Sequence, residues 1–335
     1  MRSCMPRRRM GPQFVQCRLR RHLRRGARVM FPLSPTRSSV AVVFIACTGA
    51  TARAGLEGHW RLDEAAGATV ASDSTGSYPG TLVNSAAFVP GGGVAGGAIS
   101  ITQAGNGYVT MGNVLPFASN QSFTISLWIK MQTNPAVNQF PLSKHTSGIV
   151  NGYVFGVHAS GSYGAANRAW FYDGTFPGGE ANSTTSVNDN VWHHVVGVHV
   201  ADGQKRIYVD GVQEATNIQG NVALTAAPLM LGGLFIGGAP TSVYTGMIDD
   251  VQIYSEALSS QEIAYLFNNP GAIICRGDLD ATHAVDSTDL NILLTDFGCT
   301  SSCSGDADMD GDADSTDLNV ILSNFGEVCE PSPAP

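Results

Sequence analysis

Two copies of one oxygen-rich pattern stand near the C-terminus, Asp278-Leu-Asp-Ala-Thr-His-Ala-Val-Asp-Ser-Thr-Asp289 and Asp306-Ala-Asp-Met-Asp-Gly-Asp-Ala-Asp-Ser-Thr-Asp317, 28 residues apart (306 minus 278). Oxygen donors at positions 1, 3, 5, 9 and 12, with a backbone carbonyl at 7, wrap a hard cation such as calcium, and glycine at position 6 permits the sharp turn. The second copy fits throughout, with Asp306, Asp308, Asp310, Gly311, the carbonyl of Asp312, Asp314 and Asp317. The first offers Asp278, Asp280, the Thr282 hydroxyl, the Ala284 carbonyl, Asp286 and Asp289. His283 stands where the glycine belongs, so this loop is expected to bind calcium less tightly. A merely solvated acidic loop is the alternative, and in-phase repetition argues against it.

The elements that must position these loops follow them directly. Ser287 to Gly298 and Ser315 to Gly326 place Leu290, Leu293, Leu294, Phe297 and Leu318, Ile321, Leu322, Phe325 at three- and four-residue spacing, which predicts a short amphipathic helix ended by glycine in each copy. No helix-length pattern precedes either loop, unlike a full helix–loop–helix hand. The tandem loop–helix repeats, with Asp at position 12 and Leu-Asn after it, resemble the type I dockerin family. That resemblance covers about the last sixty residues. It implies a calcium-dependent docking module whose residues at loop positions 10 and 11, here Ser287, Thr288, Ser315 and Thr316, contact a cohesin-like partner domain. Capping of their own helices is the other role open to these hydroxyls.

Four of the seven cysteines, Cys275, Cys299, Cys303 and Cys329, bracket the two copies, as expected of a disulfide-stapled small domain. If the two units pack antiparallel about a pseudo-twofold axis, Cys275 pairs with Cys329 and Cys299 with Cys303. Pairing each repeat end to end would ask one bridge to span a helix, whereas bridged Cα atoms sit roughly 4.4–6.8 Å apart. A zinc site is the rival reading, with aspartates rather than histidines nearby.

The N-terminus fits an oxidising destination. Residues 1–54 contain twelve Arg and no acid, and Ser39 to Thr48 is an apolar run too short for a stable membrane anchor. A secretory signal is expected over 1–54, with Ala52-Arg53-Ala54 as the cleavage site before Gly55 and Met30 as a possible true start. Lipid anchoring at Cys47 is the minor option. Cleavage would reduce the basic residues from 19 to 7 (19 minus 12) against 27 acids, leaving a charge near −20. Thirteen of those acids follow residue 271 against the single Arg276. Nucleic acid is an improbable partner for such a chain, and no other run approaches membrane-spanning length.

From Gly55 to Asn269 the chain is rich in Gly, Ser, Thr and Asn, with short runs of period-two alternation that predict an all-β domain. Phe123, Ile125, Leu127, Ile129 and Met131 share one strand face. Trp192 to Val200 and Arg206 to Asp210 predict a hairpin through Asp202-Gly203. Further strands are expected at 57–62, 98–103, 107–111, 151–158, 167–173, 229–237 and 246–254, and one helix at 259–267 with a Ser259…Glu262 capping box. The expected fold class is mainly β: a two-sheet antiparallel sandwich over 55–271, with a small all-α calcium-binding domain over 272–335 and Asn268 to Gly271 as the linker. The sandwich is expected to fold without that domain.

The strings Gly58-His-Trp-Arg-Leu-Asp-Glu, Asp73-Ser-Thr-Gly76, Phe123-Thr-Ile-Ser-Leu-Trp128, Trp192-His-His-Val195, Ile207-Tyr-Val-Asp-Gly211 and Gly246-Met-Ile-Asp-Asp-Val-Gln-Ile-Tyr254 resemble the laminin-G-like jelly roll of the concanavalin A-like superfamily. The resemblance implies an extracellular carbohydrate- or glycoprotein-binding module, with glycoside hydrolases in a related branch. Retaining hydrolases need two carboxylates about 5–5.5 Å apart, and no E-x-D-x-x-E triplet occurs. Asp249 and Asp250 are neighbours in a strand and so diverge, as do His193 and His194. No catalytic residue is expected.

Trp170 and Tyr172, two apart and so on one face, are the candidates for stacking on a sugar ring, with Tyr153 and Phe176 nearby; core packing is the competing role. Asp73 with Asp249 or Asp250 is a conceivable second calcium site. The combined expectation is a secreted, non-catalytic recognition protein docked through its C-terminal module. A divergent glycoside hydrolase and a structural adhesion protein are the alternatives.

Overall fold

The computed structural model describes residues 55–131, 136–146, 151–159, 165–174, 178–218 and 223–329, all within one compact unit. The expected signal segment 1–54 and Phe176 lie outside the described residues. Strands β1 (Leu56–Trp60), β2 (Val70–Ala71), β3 (Gly80–Val83), β4 (Ala87–Val89), β5 (Ala98–Ile101) and β6 (Tyr108–Gly112) precede the long β7 (Phe123–Lys130). Next come β8 (Gln139–Lys144), β9 (Tyr153–Val157), β10 (Arg168–Tyr172), β11 (Ala181–Ser186), β12 (Trp192–His199), β13 (Lys205–Val209) and β14 (Val212–Asn217). The last strands are β15 (Leu229–Leu231), β16 (Gly233–Ile236), β17 (Ala239–Ser242) and β18 (Gly246–Tyr254), followed by helices α1 (Ser260–Asn268), α2 (Ser287–Asp296) and α3 (Ser315–Asn324).

Two antiparallel eight-stranded sheets face each other. One runs β14-β13-β12-β7-β18-β5-β4 with β1 added on β18; the other runs β11-β10-β9-β8-β15-β6-β3-β2. Between them the alternate residues Phe123, Ile125, Leu127 and Ile129 of β7 meet Phe155, Phe171 and Leu142, all at most 1% exposed. The predicted hairpin is β12–β13, in the register Val195 to Val209. The expected strand 229–237 is split at Gly232, whose φ of +71° breaks the run, so β15 joins the second sheet while β16 pairs with β17. Strands β2, β3, β4, β8, β11, β14 and β17 have no counterpart in the sequence expectation. They are short or lack apolar alternation, and neighbouring strands hold them in place.

The outward side of β7 departs from a simple sandwich. Thr124, Ser126 and Trp128 are buried there as well. Helix α1 covers them: Phe267 stacks on Trp128 at 5.8 Å, and Leu258 donates its N–H to Thr124 Oγ1 at 3.0 Å. The helix starts as expected, with Ser259 and Glu262 bonding reciprocally.

The expected linker is bonded to the sandwich. Gly271 N–H donates to Asp250 Oδ2, Gln252 Nε2 donates to the Ala272 carbonyl, and Ile274 N–H donates to Tyr254 Oη. Ile274 and Met309 then pack with Val196, Tyr208, Tyr254 and Leu258 of the sandwich. Arg276 completes the seam with ion pairs to Glu262 (2.6 Å) and Glu256.

Within the C-terminal module the two units are related as antiparallel halves. Val285, at loop position 8, donates to the Glu327 carbonyl and accepts from Gly326 N–H; Ala313, its counterpart, does the same with Cys299 and Gly298. This brings the ends of the repeats together, and the disulfides are Cys275–Cys329 and Cys299–Cys303, each with Cα atoms 5.7 Å apart. Cysteine thiolates are thereby withdrawn from any zinc site.

The expected apolar helix faces are only half buried. Leu293 and Ile321 are fully enclosed, but Leu294, Phe297, Leu322 and Phe325 are 50–55% exposed. Phe297 and Phe325 are the C-caps, with ψ of 123° and 124°, so the chain leaves the helical period there.

Candidate functional site

Each position-12 aspartate is the hub of its loop. Asp317 is fully buried and accepts N–H bonds from Ala307, Asp308 and Asp314 at 2.7, 3.1 and 2.7 Å. Asp289 is also fully buried and takes the same three from Leu279, Asp280 and Asp286. These carboxylates fix the start of α2 and α3 as the N3 partners of capping boxes, in which Asp286 and Asp314 are the N-caps. The capping role open to the Ser-Thr pairs is therefore filled by the preceding aspartate. Ser287, Thr288, Ser315 and Thr316 form the exposed first turns, and only Thr316 returns a hydroxyl, to Asp314 Oδ1 at 2.9 Å.

Carboxylate oxygens of Asp278, Asp280 and Asp289 lie within 4.8 Å of one another, and so do those of Asp306, Asp308 and Asp317. These are positions 1, 3 and 12 of both loops. In the second loop Asp312, Asp314 and Asp317 form a further group, so the side chain at position 7, assigned only a carbonyl role from sequence, also turns inward. Its Oδ1 is buried without a hydrogen-bond partner. An all-oxygen donor set with an unsatisfied buried carboxylate oxygen fits a hard divalent cation. Asp310 and Thr282, at position 5, stand outside these groups: Asp310 accepts from Asp312 N–H, and the Thr282 hydroxyl donates to Asp280. Ala284 bridges to Val328 at the pseudo-twofold pairing.

The electrostatics match a cluster short of positive charge. Burial, then the Asp289 charge, lifts Asp278 above the usual carboxylate range, and burial with Asp317 does the same to Asp306. Desolvation and four neighbouring carboxylates raise Asp312. Asp314 is held low by the Thr316 N–H and hydroxyl. His283, at position 6, adopts φ +64° where Gly311 adopts +107°. A left-handed side chain costs roughly 1–2 kcal/mol, a strain that the glycine at the same position of the second loop escapes.

On the sandwich, Trp170 and Tyr172 do share the outward face of the second sheet. The indole lies over Gly156, where a Cβ would approach within 2.2 Å, and stacks on His158 at 5.6 Å. Asn182, paired with Trp170 across β10–β11, meets His158 Nε2 at 2.6 Å. Yet both rings are only 3% exposed, packed edge to face on each other, with Phe140 edge to face on Trp170 and Val154 in the same cluster. As placed they form a satellite core and offer no open stacking platform. Burial, with the Asp173 and Glu180 charges, pushes Tyr172 up to about 12. Tyr153 faces inward instead, its hydroxyl donating to the Leu115 carbonyl.

The carboxylates of the conceivable sandwich calcium site are engaged by donors of the protein itself. Asp73 accepts five bonds, from the N–H groups of His59, Thr75, Ser77 and Tyr78 and the Thr75 hydroxyl. Asp250 is held by His59, Gln252 and Gly271. Asp249, across a bulge in β18, accepts from Val94, Ala95 and Asp250. His193 bonds Asp210 and Asp189 while His194 bonds Ser126, so the two rings diverge as expected. Sequence reasoning did not anticipate the fully buried trio of Asp173, His199 (2.5 Å) and Lys205 (2.6 Å), which links β12 and β13 to the end of β10; its members are scattered through the sequence without a motif.

Residues 103–264 match the family model of the concanavalin A-like lectin/glucanases superfamily. The matched stretch holds β6 to β18, while β1 to β5 of the two sheets precede it and the repeats follow it. Among solved structures, the chain is similar to domain 4 of AbnA, a GH43 extracellular arabinanase from Geobacillus stearothermophilus in complex with arabinotriose. Identity is 22%, coverage 64% of this chain and 98% of that one, and the TM-score 0.48. It is also similar to Trypanosoma rangeli sialidase (21%, 64% and 32%, 0.46) and to the binding domain of Paraclostridial Mosquitocidal Protein 1 (16%, 56% and 47%, 0.43). The chain spans less than half of these last two. No curated protein matches the chain.

Proposed function

We propose that this chain is an exported, non-catalytic recognition protein, in which the jelly roll binds carbohydrate and the C-terminal module, loaded with calcium, docks to a cohesin-like protein domain. The observation that carries the reading is the repetition of one carboxylate cluster, at positions 1, 3 and 12, in two loops that each open a helix. A calcium ion in each loop would supply the positive charge these carboxylates lack, held by Asp278, Asp280 and Asp289 in the first and by Asp306, Asp308 and Asp317 in the second. The Asp289 and Asp317 carboxylates orient the loops through their N–H bonds and so couple loop geometry to helix position. Half-exposed Leu294, Phe297, Leu322 and Phe325, beside exposed Ser-Thr pairs, supply surface suited to a protein partner.

The non-catalytic part rests on the committed state of the sandwich acids. Asp73, Asp249 and Asp250 have their oxygens filled by donors, and Asp173 is buried against His199 and Lys205. The carbohydrate part rests on the family match. Calorimetric titration of residues 55–335 with calcium, then glycan-array binding with and without it, tests both. Two calcium ions bound, with the second loop the tighter, and array signal without released reducing sugar is the expected result. No calcium uptake, or sustained hydrolysis of a polysaccharide, overturns the reading.

A further inference from the structure

Asp173, His199 and Lys205 have no part in the calcium or carbohydrate reading, yet all three side chains are 0% exposed. Asp173 follows β10 of the second sheet, whereas His199 ends β12 and Lys205 opens β13 of the first, so the trio bridges the two sheets. Taking an ammonium and a carboxylate out of water is costly, and an ion pair recovers that cost only with good geometry and further hydrogen bonds. Here Lys205 Nζ lies 2.6 Å from Asp173 Oδ1, yet Oδ1 takes part in no hydrogen bond. The carboxyl carbon is one C–O bond of roughly 1.2 Å beyond, which puts the amine within about 4 Å of it. The other oxygen, Oδ2, meets His199 Nδ1 at 2.5 Å, and His199 Nε2 donates to the Ser119 carbonyl at 3.3 Å. A carbonyl only accepts, so Nε2 carries a proton, and in the neutral ring Nδ1 is left to accept from a protonated Asp173 Oδ2. Phe123 stacks on the same ring at 5.1 Å.

We infer that Lys205 and Asp173 condense to an intramolecular amide, a covalent tie between the two sheets. Within the pair the ammonium passes a proton to the carboxylate, leaving a neutral amine beside a neutral acid, the forms favoured away from water. Lys205 Nζ then attacks Cγ of Asp173. The N–C bond forms, His199 relays the amine proton to Oδ2, and the Cγ–Oδ2 bond breaks with release of one water. No oxidant, reductant or co-reactant is needed. Enclosure holds the partners in reach of one another, and two buried charges become one neutral amide, so the site favours the product. The bond depends on neither calcium nor export.

Digestion of the purified full chain with trypsin and a glutamate-specific protease, read by mass spectrometry, tests for it. Cleavage after Arg168, Glu180 and Arg206 bounds two peptides, Ala169–Glu180 with Asp173 and Ala181–Arg206 with Lys205. The expected product is the two joined, lighter than their sum by one water and uncut after Lys205, with fragment ions placing the junction on Asp173. Lys205→Met should release the peptides separately, and freshly made His199→Gln should yield mostly separate peptides. Asp173-Gly174 can also lose water by closing a succinimide, which hydroxylamine opens and an amide resists. A deficit of that kind, a deficit that persists in Lys205→Met, or two separate full-mass peptides from the parent overturns the bond. Joining in His199→Gln to the parent's extent overturns the relay. The parent digest decides the bond even where a variant fails to fold.

Discussion

The sandwich and the C-terminal module arrange their acids differently. Within the sandwich each buried carboxylate of the described residues is answered by a donor from the same chain: Asp73 by four N–H groups and a hydroxyl, Asp250 by His59, Asp173 by His199 and Lys205. In the module Asp289 and Asp317 also accept three N–H bonds each, yet their carboxylates crowd against those of their loop neighbours, and the core beneath them is five buried residues, Val285, Leu293, Ala307, Ala313 and Ile321. A fold that supplies its own donors is complete when it packs. A fold that gathers acids around a gap leans on disulfides and on the seam and, in the function proposed, on a cation.

The largest effect should come from the disulfide that closes the module. Removing Cys275–Cys329, with a separation of 54 residues, should cost the module about 4 kcal/mol by chain entropy, against about 2 kcal/mol for Cys299–Cys303, separated by 4. All four tryptophans lie in the sandwich, so denaturation followed by fluorescence and by helical circular dichroism separates the two regions. Serine variants of the first pair should shift the helical transition and leave the fluorescence midpoint nearly in place. If both transitions move together, the seam through Ile274, Arg276 and Met309 makes the two regions one cooperative unit and the contrast fails.

Next in size is the hub of the better loop. Asp317→Ala leaves three N–H groups without their acceptor and deletes a shared member of two carboxylate groups. About 3 kcal/mol of module stability should go, together with the tighter calcium event. Thr282→Ala, which deletes an exposed hydroxyl bonded to Asp280, should change both little. Equal losses from the two variants would mean that position 5 contributes as much as the hub.

What sequence made legible follows the same division. The module's carboxylate clusters were readable because acidic positions repeat at fixed spacing, and the disulfide pairing followed once pseudo-twofold packing was assumed. The Val285 and Ala313 cross-bonds carried no signal because they arise from contacts between the two units, and the Asp312 side chain carried none because the motif defines position 7 by its carbonyl. In the sandwich, β7, β12 and β18 were legible from alternation, whereas β3, β11 and β14 were set by neighbours. Tyr153 and Trp170 illustrate the limit: both are aromatic in strands, yet one faces the core and the other the outward satellite cluster, a difference decided by strand register rather than residue type.

Acidity should separate the regions further. His194, enclosed by Trp128 and Phe267, is lowered by burial to about 4, so its neutral form is favoured on folding. Such a group contributes stability above its unfolded value near 6.5 that is lost as pH falls toward 4. His194→Gln should therefore gain about 2 kcal/mol relative to the parent between pH 7 and pH 5. Asp249, raised by burial to about 7, works the other way: its contribution is present at low pH and lost as pH rises, so Asp249→Asn should gain on the parent from pH 4 to 7. In the calcium-free module Asp278, Asp306 and Asp312 are raised, so its stability should fall as pH rises through the carboxylate range. Melting curves of the variants across pH 4–7 measure all three. A His194→Gln difference that stays flat would show that folding leaves the ring's affinity for protons unchanged.

The smallest effect on stability should come from the Ser-Thr pairs, and there the module's function is most exposed to test. Asp286 and Asp314 cap the helices, so Ser287, Thr288, Ser315 and Thr316 are free of that duty, and exchanging them should cost well under about 1 kcal/mol. Replacing both pairs with bulky charged residues should leave calcium uptake and helix content intact while abolishing capture of a cohesin-like domain. Replacing one pair should weaken capture little, because the pseudo-twofold relation presents a second equivalent face. Binding that survives the double exchange would move the contact to Leu294, Phe297, Leu322 and Phe325, whose exposed apolar surface would then be the part of the module that meets its partner. Alanine at those four positions, read by the same capture assay, decides between the two surfaces.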